Sequence, residues 1–174
     1  MNRRIALKSL AVVVAGVVFF PGCDQSTTSS AEVVQSFLSP TQDVLLASMV
    51  QTLIPATDTP GAKDLDVHLY MKRMVADCHE PEVQKIFFNG LDKVEELAKD
   101  KFGKGYPALN FSQQSAILTM LESSREVSVK EFYTLLKGLT IQGYITSEWV
   151  MTNHAGYQMV PGHYYGCVPV KQTL

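Results

Sequence analysis

The chain has 174 residues, 46% of them hydrophobic, which is enough for one domain with its own core and too much for a disordered chain. Its formal net charge is −2. The first 22 residues hold three of the 15 basic side chains and none of the 17 acidic ones, so the body sets 12 basic against 17 acidic residues. A mildly acidic body argues against nucleic acid as a partner and against docking on anionic lipid by charge alone.

The chain opens Asn2-Arg3-Arg4-Ile5-Ala6-Leu7-Lys8, and Leu10 to Phe20 follow without a charge. That apolar run is too short to cross about 30 Å of hydrocarbon but suits the core of a signal peptide. The pair Arg3-Arg4, followed by Leu7 and Lys8, resembles the twin-arginine export signal, with Ala6 where Phe is usual. The alternative is an ordinary secretory signal that happens to have two arginines. Phe20-Pro21-Gly22-Cys23 resembles a bacterial lipobox, with Gly22 fitting and Phe20 and Pro21 departing from it. The Cys23 thiol would take the lipid, and Ser26 to Ser30 would tether it flexibly. Acyl chains contribute about 0.8 kcal/mol per buried methylene, so a multiply acylated Cys23 would hold firmly. The alternative is a cleavable signal with an incidental cysteine. Asp24 resembles the mark that keeps some lipoproteins at the inner membrane. The organisation expected is a signal peptide over 1–22, a lipid-anchored tether over 23–40 and a helical domain over 41–174, on the periplasmic side of a bacterial membrane.

From Thr41 the pattern is helical almost throughout. Thr41 is the expected cap of a helix carrying Val44, Leu45, Met49, Val50, Leu53 and Ile54, which Pro55 ends. Ala56 to Asp64 is a loop of turn formers. A second helix is expected from Leu65 to Cys78, with Val67, Tyr70, Met71, Met74 and Val75 on one face. Glu80-Pro81 opens a third, because proline is tolerated in a first turn. Val83, Ile86, Phe87, Leu91, Val94, Leu97 and Ala98 give it an apolar stripe, with Lys93, Glu96, Lys99 and Asp100 opposite. Gly103 to Pro107 ends it. Ser112 is the expected cap of a fourth helix with Ile117, Met120 and Leu121. Ser128 is the expected cap of a fifth with Val129, Phe132, Leu136, Leu139 and Tyr144. The fold class is therefore all-α: a single domain of about five helices with an irregular C-terminal tail.

Motifs that carry chemistry are scarce. No Cys-x-x-Cys-His, Gly-x-Ser-x-Gly, Walker-type loop or His-Glu-x-x-His occurs. Gly103-Lys104-Gly105-Tyr106-Pro107-Ala108 matches a dinucleotide fingerprint superficially, but it follows a helix and has proline where a helix should start. His68, His79, His154 and His163 show no pairing at helical spacing. His154, His163 and Cys167 could meet in a folded tail and bind a metal, and polar loop roles are the plainer reading. Asp58, Asp64 and Asp66 match no calcium loop, and turn forming or helix capping accounts for them. No catalytic, cofactor-binding or metal residue is assigned.

With Cys23 lipidated, Cys78 and Cys167 remain. Outside the cytoplasm two thiols tend to pair. An internal bridge is the preferred reading; it would close a loop of about 90 residues and stabilise by roughly 4 kcal/mol in the chain-entropy model. A bond from one of them to a partner chain is the alternative.

The stretch from Leu139 to Cys167 holds the only Trp and four of the seven Tyr, with four Gly and Pro161. Aromatic residues in such a segment are either packed over their own core or laid against a partner.

Four short segments carry a family resemblance. They are Leu53-Ile54-Pro55, Thr57-Asp58-Thr59-Pro60-Gly61-Ala62, Gly143-Tyr144-Ile145-Thr146-Ser147-Glu148, and Val160-Pro161-Gly162-His163-Tyr164-Tyr165-Gly166-Cys167. Over about Thr41 to Val170 the chain resembles the gluconate 2-dehydrogenase subunit 3 family, the small subunit of membrane-associated sugar dehydrogenases. The resemblance implies a non-catalytic subunit. Its partner would be a flavin oxidoreductase of the glucose-methanol-choline type that holds the FAD, with a cytochrome c taking the electrons. The small subunit would escort the folded partner through the twin-arginine route, and Cys23 would add an anchor to the membrane. Tyr144, Trp149, Tyr157, Pro161, Tyr164 and Tyr165 are the residues expected at the subunit contact, with a core role equally open for Tyr144 and Trp149. The alternative function is an independent periplasmic lipoprotein that binds a ligand or another protein.

Overall fold

The computed structural model describes residues 37–160 together with Gly162, Gly166 and Cys167. Arg3, Arg4, Cys23, Pro161, His163, Tyr164 and Tyr165 lie outside the described residues. Among the described residues the regular structure is six α-helices and one 3-10 turn: α1 (Pro40–Leu53), α2 (Val67–Cys78), α3 (Pro81–Phe102), the 3-10 turn Tyr106–Ala108, α4 (Phe111–Glu122), α5 (Val127–Ile145) and α6 (Glu148–Asn153). There is no strand among the described residues.

Three helix starts fall slightly earlier than the expected caps, and α2 begins at Val67, two residues after the expected Leu65. Ser39, not Thr41, caps α1: the Gln42 N–H donates to Ser39 Oγ at 3.3 Å and the Ser39 N–H to Gln42 Oε1 at 3.2 Å. Pro40 takes the first helical position, where its missing N–H costs nothing. Asn110, not Ser112, caps α4 through the same reciprocal pair with Gln113. Glu126, not Ser128, precedes α5, and Ser128 Oγ donates to the Glu126 carboxylate instead. Between α2 and α3 the Gln84 amide donates to the carbonyls of Val75, Ala76 and His79 at 3.0–3.1 Å, closing orphan acceptors at the end of α2. Gly103, at φ +67°, ends α3 in the left-handed conformation that glycine adopts without a Cβ clash.

α5 is the central element and packs against each of the other five described helices. Its inner stripe of Val129, Phe132, Leu136 and Leu139 meets buried residues that include Leu46 and Met49 of α1, Met71 of α2, Phe87 and Leu91 of α3 and Leu121 of α4. Two glycines set the closest approaches. A Cβ on Gly90 would fall 2.1 Å from Phe132 Cγ, and one on Gly143 would fall 2.6 Å from Tyr70 Cδ1. The expected core loses two members. Val44 is 59% exposed, because it lies far round the helix from the stripe of Leu45, Leu46, Met49 and Val50. Met120 is also exposed, off the stripe of Ile117, Leu118 and Leu121.

The run from Gly103 to Ala108 is structural. Tyr106 is fully buried, its N–H donates to Glu95 Oε2 at 3.1 Å and its hydroxyl to Thr52 Oγ1 at 3.2 Å. Burial pushes its phenol up to about 12.

A charged seam joins α1 and α2. Lys72, buried at 3% exposure, holds its Nζ 2.9 Å from Asp43 Oδ1, too obliquely for a hydrogen bond. His68 lies one turn earlier on α2, and its Nδ1 is buried without a partner. Desolvation lowers its affinity for a proton below the ordinary 6.5, against the opposite pull of Asp43 and Asp66 and together with the repulsion from Lys72 and Lys63.

Two outcomes follow for the isolated domain. Gly90→Ala forces Phe132 aside and should destabilise by about 2 kcal/mol, read as a lower urea midpoint at unchanged slope. For His68, the unfolded chain binds a proton below pH 6.5 that the folded chain still refuses. Its contribution to stability is therefore complete above 6.5 and lost as the pH falls towards the lower folded value. His68→Gln should flatten the fall in urea midpoint between about pH 7.5 and pH 5.5.

Candidate partner interface

The loop between α1 and α2 is held from both ends. The Ala62 N–H donates to the Ile54 carbonyl at 2.9 Å, the Lys63 N–H to Gln51 Oε1 at 3.2 Å and the Gly61 N–H to Asp64 Oδ2 at 2.9 Å. Ala62 is fully buried. A Cβ on Gly61 would fall 2.7 Å from the Ala56 nitrogen, so only glycine lets the loop close this tightly. Asp64 therefore serves the turn. Asp66 precedes α2 at φ +53° and makes no side-chain cap bond. Asp58 is exposed.

Tyr144 fastens this loop to the last turn of α5. Its hydroxyl donates to the Pro60 carbonyl at 3.0 Å, and its half-buried ring packs on the core. The hydroxyl thus has a partner inside the chain, while part of the half-buried ring stays open to solvent. Two of the sequence segments, the Thr57–Ala62 loop and the Gly143–Glu148 stretch, are thus joined through one hydrogen bond.

α6 follows at once. Sequence periodicity did not reveal it, since six residues show less than two turns of pattern. Its signal is Ser147 followed by Glu148, a helix-start pair, although Ser147 Oγ donates back to the Tyr144 carbonyl at 2.7 Å instead of capping α6. Trp149 is half-buried, with its ring centroid 5.2 Å from that of His154 at 60° between planes. Trp149 lines a cleft of about 480 Å³ between the loop and α6, together with Asp64, Asp66 and Glu148. Sequence reasoning singled out Trp149 but missed the cleft, because its walls come from segments some 80 residues apart.

Beyond α6 the surface turns apolar. The Tyr157 N–H donates to the Met151 carbonyl at 2.9 Å, while its side chain is 53% exposed. Met159 and Val160 are 85% and 81% exposed. Large apolar side chains this open, in succession, are the kind of patch that marks a contact with another molecule. Sequence reasoning named Tyr157 and overlooked its two aliphatic neighbours.

The remaining candidates scatter. Cys78, at the end of α2, and Cys167 are both exposed and unbonded, so the preferred bridge between them is not formed in this structure. His68 and His79 lie on α2 and at its end, and His154 is exposed at the end of α6. Among the described residues no three His, Cys, Asp or Glu side chains gather where they could hold a metal. No described helix is long and apolar enough to cross a membrane.

The family described as gluconate 2-dehydrogenase subunit 3 matches residues 40–162, from the first residue of α1 through the apolar patch after α6. No curated protein sequence and no solved structure matches the chain.

Removal of the Tyr144 hydroxyl tests the clasp. Tyr144→Phe should cost about 1 kcal/mol of stability and leave the Pro60 carbonyl unpaired. Amide exchange at Ala62 and Lys63 should quicken while that at Leu136 and Leu139 stays slow.

Proposed function

The chain belongs to the gluconate 2-dehydrogenase subunit 3 family, and is thus of the kind that serves as an accessory subunit of a dehydrogenase complex; from that premise we propose that it is the non-catalytic small subunit of a periplasmic, FAD-dependent sugar or polyol dehydrogenase. The FAD belongs to the larger flavin-dependent partner, of the glucose-methanol-choline type, and a cytochrome c accepts its electrons. The observation that carries the reading is the succession Tyr157, Met159 and Val160, open to solvent after the helix that holds Trp149 and within the matched segment. A chain that worked alone would leave this apolar surface in water at a cost; a subunit covers it on assembly. The partner contact is assigned to Tyr144, Trp149, Tyr157, Pro161, Tyr164 and Tyr165, and Tyr144 also ties down the loop through the Pro60 carbonyl.

The paired Arg3 and Arg4 support an escort role. A folded flavoprotein without its own signal would cross by the twin-arginine route as a passenger on this chain. Lipidated Cys23, with Asp24 beside it, would then hold the complex on the periplasmic face of the inner membrane, and the Ser/Thr run would give it reach.

Two measurements test this. Tyr157→Ala should weaken recovery of the large subunit about tenfold while the melting curve of the isolated chain stays in place, because a half-exposed side chain contributes little to folding. Unchanged recovery would remove the tail from the interface. Replacing Arg3 and Arg4 by Lys should strand the large subunit in the cytoplasm, and unaltered export would end the escort role.

A further inference from the structure

The fold treats its methionines unequally. Six of the seven in the chain fall among the described residues. Met49 and Met71 are fully buried, and Met74 and Met151 are half-buried. Met120 is 39% exposed on α4. Met159 is 85% exposed, the most open large apolar side chain among the described residues, and Val160 beside it is 81% exposed. The segment that carries them is tied to α6 by the bond from the Tyr157 N–H to the Met151 carbonyl.

A thioether is an apolar group that a mild oxidant turns into a polar one. With hydrogen peroxide, the sulfur lone pair attacks one peroxide oxygen, an S–O bond forms and the O–O bond breaks. The departing hydroxide takes up the proton of the transferred oxygen and leaves as water. Sulfur is oxidised by two electrons, and the peroxide is reduced. The sulfoxide product is polar and hydrogen-bonds to water, so pressing it back into an apolar contact carries a desolvation cost that the thioether does not. Peroxide has to reach the sulfur, which the core denies it at Met49 and Met71 and the surface grants it at Met159.

We propose that Met159 is a peroxide-sensitive modification site whose oxidation state governs docking of the large subunit. The inference rests on the reading of the Tyr157–Val160 patch as the partner contact. An 85% exposed side chain adds almost nothing to the core, so its oxidation leaves the bundle folded and alters only the contact surface. The free chain is the form that peroxide reaches. Once the large subunit covers the patch, the sulfur is screened from solvent, so assembly and oxidation exclude each other. A chain oxidised before assembly docks poorly, and reduction by methionine sulfoxide reductases returns it to the competent state.

The experiment treats the full chain with hydrogen peroxide and then with a thiol reductant. The reductant reverses disulfides and sulfenic acids at the exposed Cys78 and Cys167 and leaves the sulfoxide in place. Peptide masses should show one added oxygen at Met159 before any at Met120 or Met151. Titration with the purified flavin-dependent large subunit should then give an affinity about tenfold weaker, with the melting curve of the chain unmoved. Sulfoxide reductases should restore the affinity. Met159→Leu keeps the apolar bulk without the sulfur, so it should bind like the untreated chain and lose nothing on peroxide treatment. In the preformed complex, oxidation of Met159 should slow about tenfold or more. Earlier oxidation of Met120 or Met151, untreated-chain affinity after full oxidation of Met159, or an equal loss in Met159→Leu overturns the inference and leaves the subunit reading standing. If the untreated chain binds no large subunit at all, the subunit reading itself fails and the inference falls with it.

Discussion

The bundle depends on how closely α2 and α3 can press against α5. Gly90 brings the α3 backbone onto the face of Phe132, and Gly143 brings the α5 backbone onto Tyr70. Neither contact tolerates a Cβ without displacing an aromatic ring. Dispersion is short-ranged, so a gap of even 1 Å at these crossings would forfeit much of the attraction along both helix pairs. The consequence reaches the surface. Because Gly143 seats α5 against α2, the next residue, Tyr144, arrives within hydrogen-bond reach of Pro60. The loop is then pinned, α6 emerges beside it, and Trp149 comes to share a cleft with Asp64 and Asp66. A core packing constraint thus sets the place of the aromatic surface.

The helical bundle was legible in the sequence because apolar residues at spacings of three and four leave few alternatives. α3 is the clearest instance: Phe87, Leu91, Val94 and Ala98 are all fully buried, as their spacing demands. The helix starts were less legible. Thr41, Ser112 and Ser128 are good caps by type, yet Ser39 and Asn110 win because each has a glutamine three residues later to complete the reciprocal pair. Val44 and Met120 are as apolar as their neighbours, yet the phase of the adjoining stripe puts them in solvent.

The candidate interface was legible only in part, for a physical reason. Tyrosine suits a core edge and a binding surface equally, since one end is apolar and the other seeks a hydrogen bond. Tyr144 and Tyr157 therefore look alike in the sequence. What separates them is a partner 84 residues away, the Pro60 carbonyl, which Tyr144 has and Tyr157 does not. Likewise the cleft beside Trp149 required a loop and a helix to be placed together. A motif can mark both segments without saying that they touch.

The same reasoning separates residues that serve the fold from residues whose cost the fold leaves unexplained. Buried Tyr106 and Ala62 satisfy every local demand placed on them, and Gly90 and Gly143 are required by rings that face them. Gly138 costs helix stability with no return inside the chain, and Val127, Ile141, Ile145, Met159 and Val160 keep large apolar surface in water. Natural sequences sit only slightly above the stability they need, so such costs persist where something outside the chain offsets them. In a member of a family named for its place in a multi-subunit dehydrogenase, the economical source of that compensation is assembly. The domain's exposed large apolar side chains stand on α1, α2, α4 and α5 and in the segment after α6, where Met159 and Val160 are the most open of all.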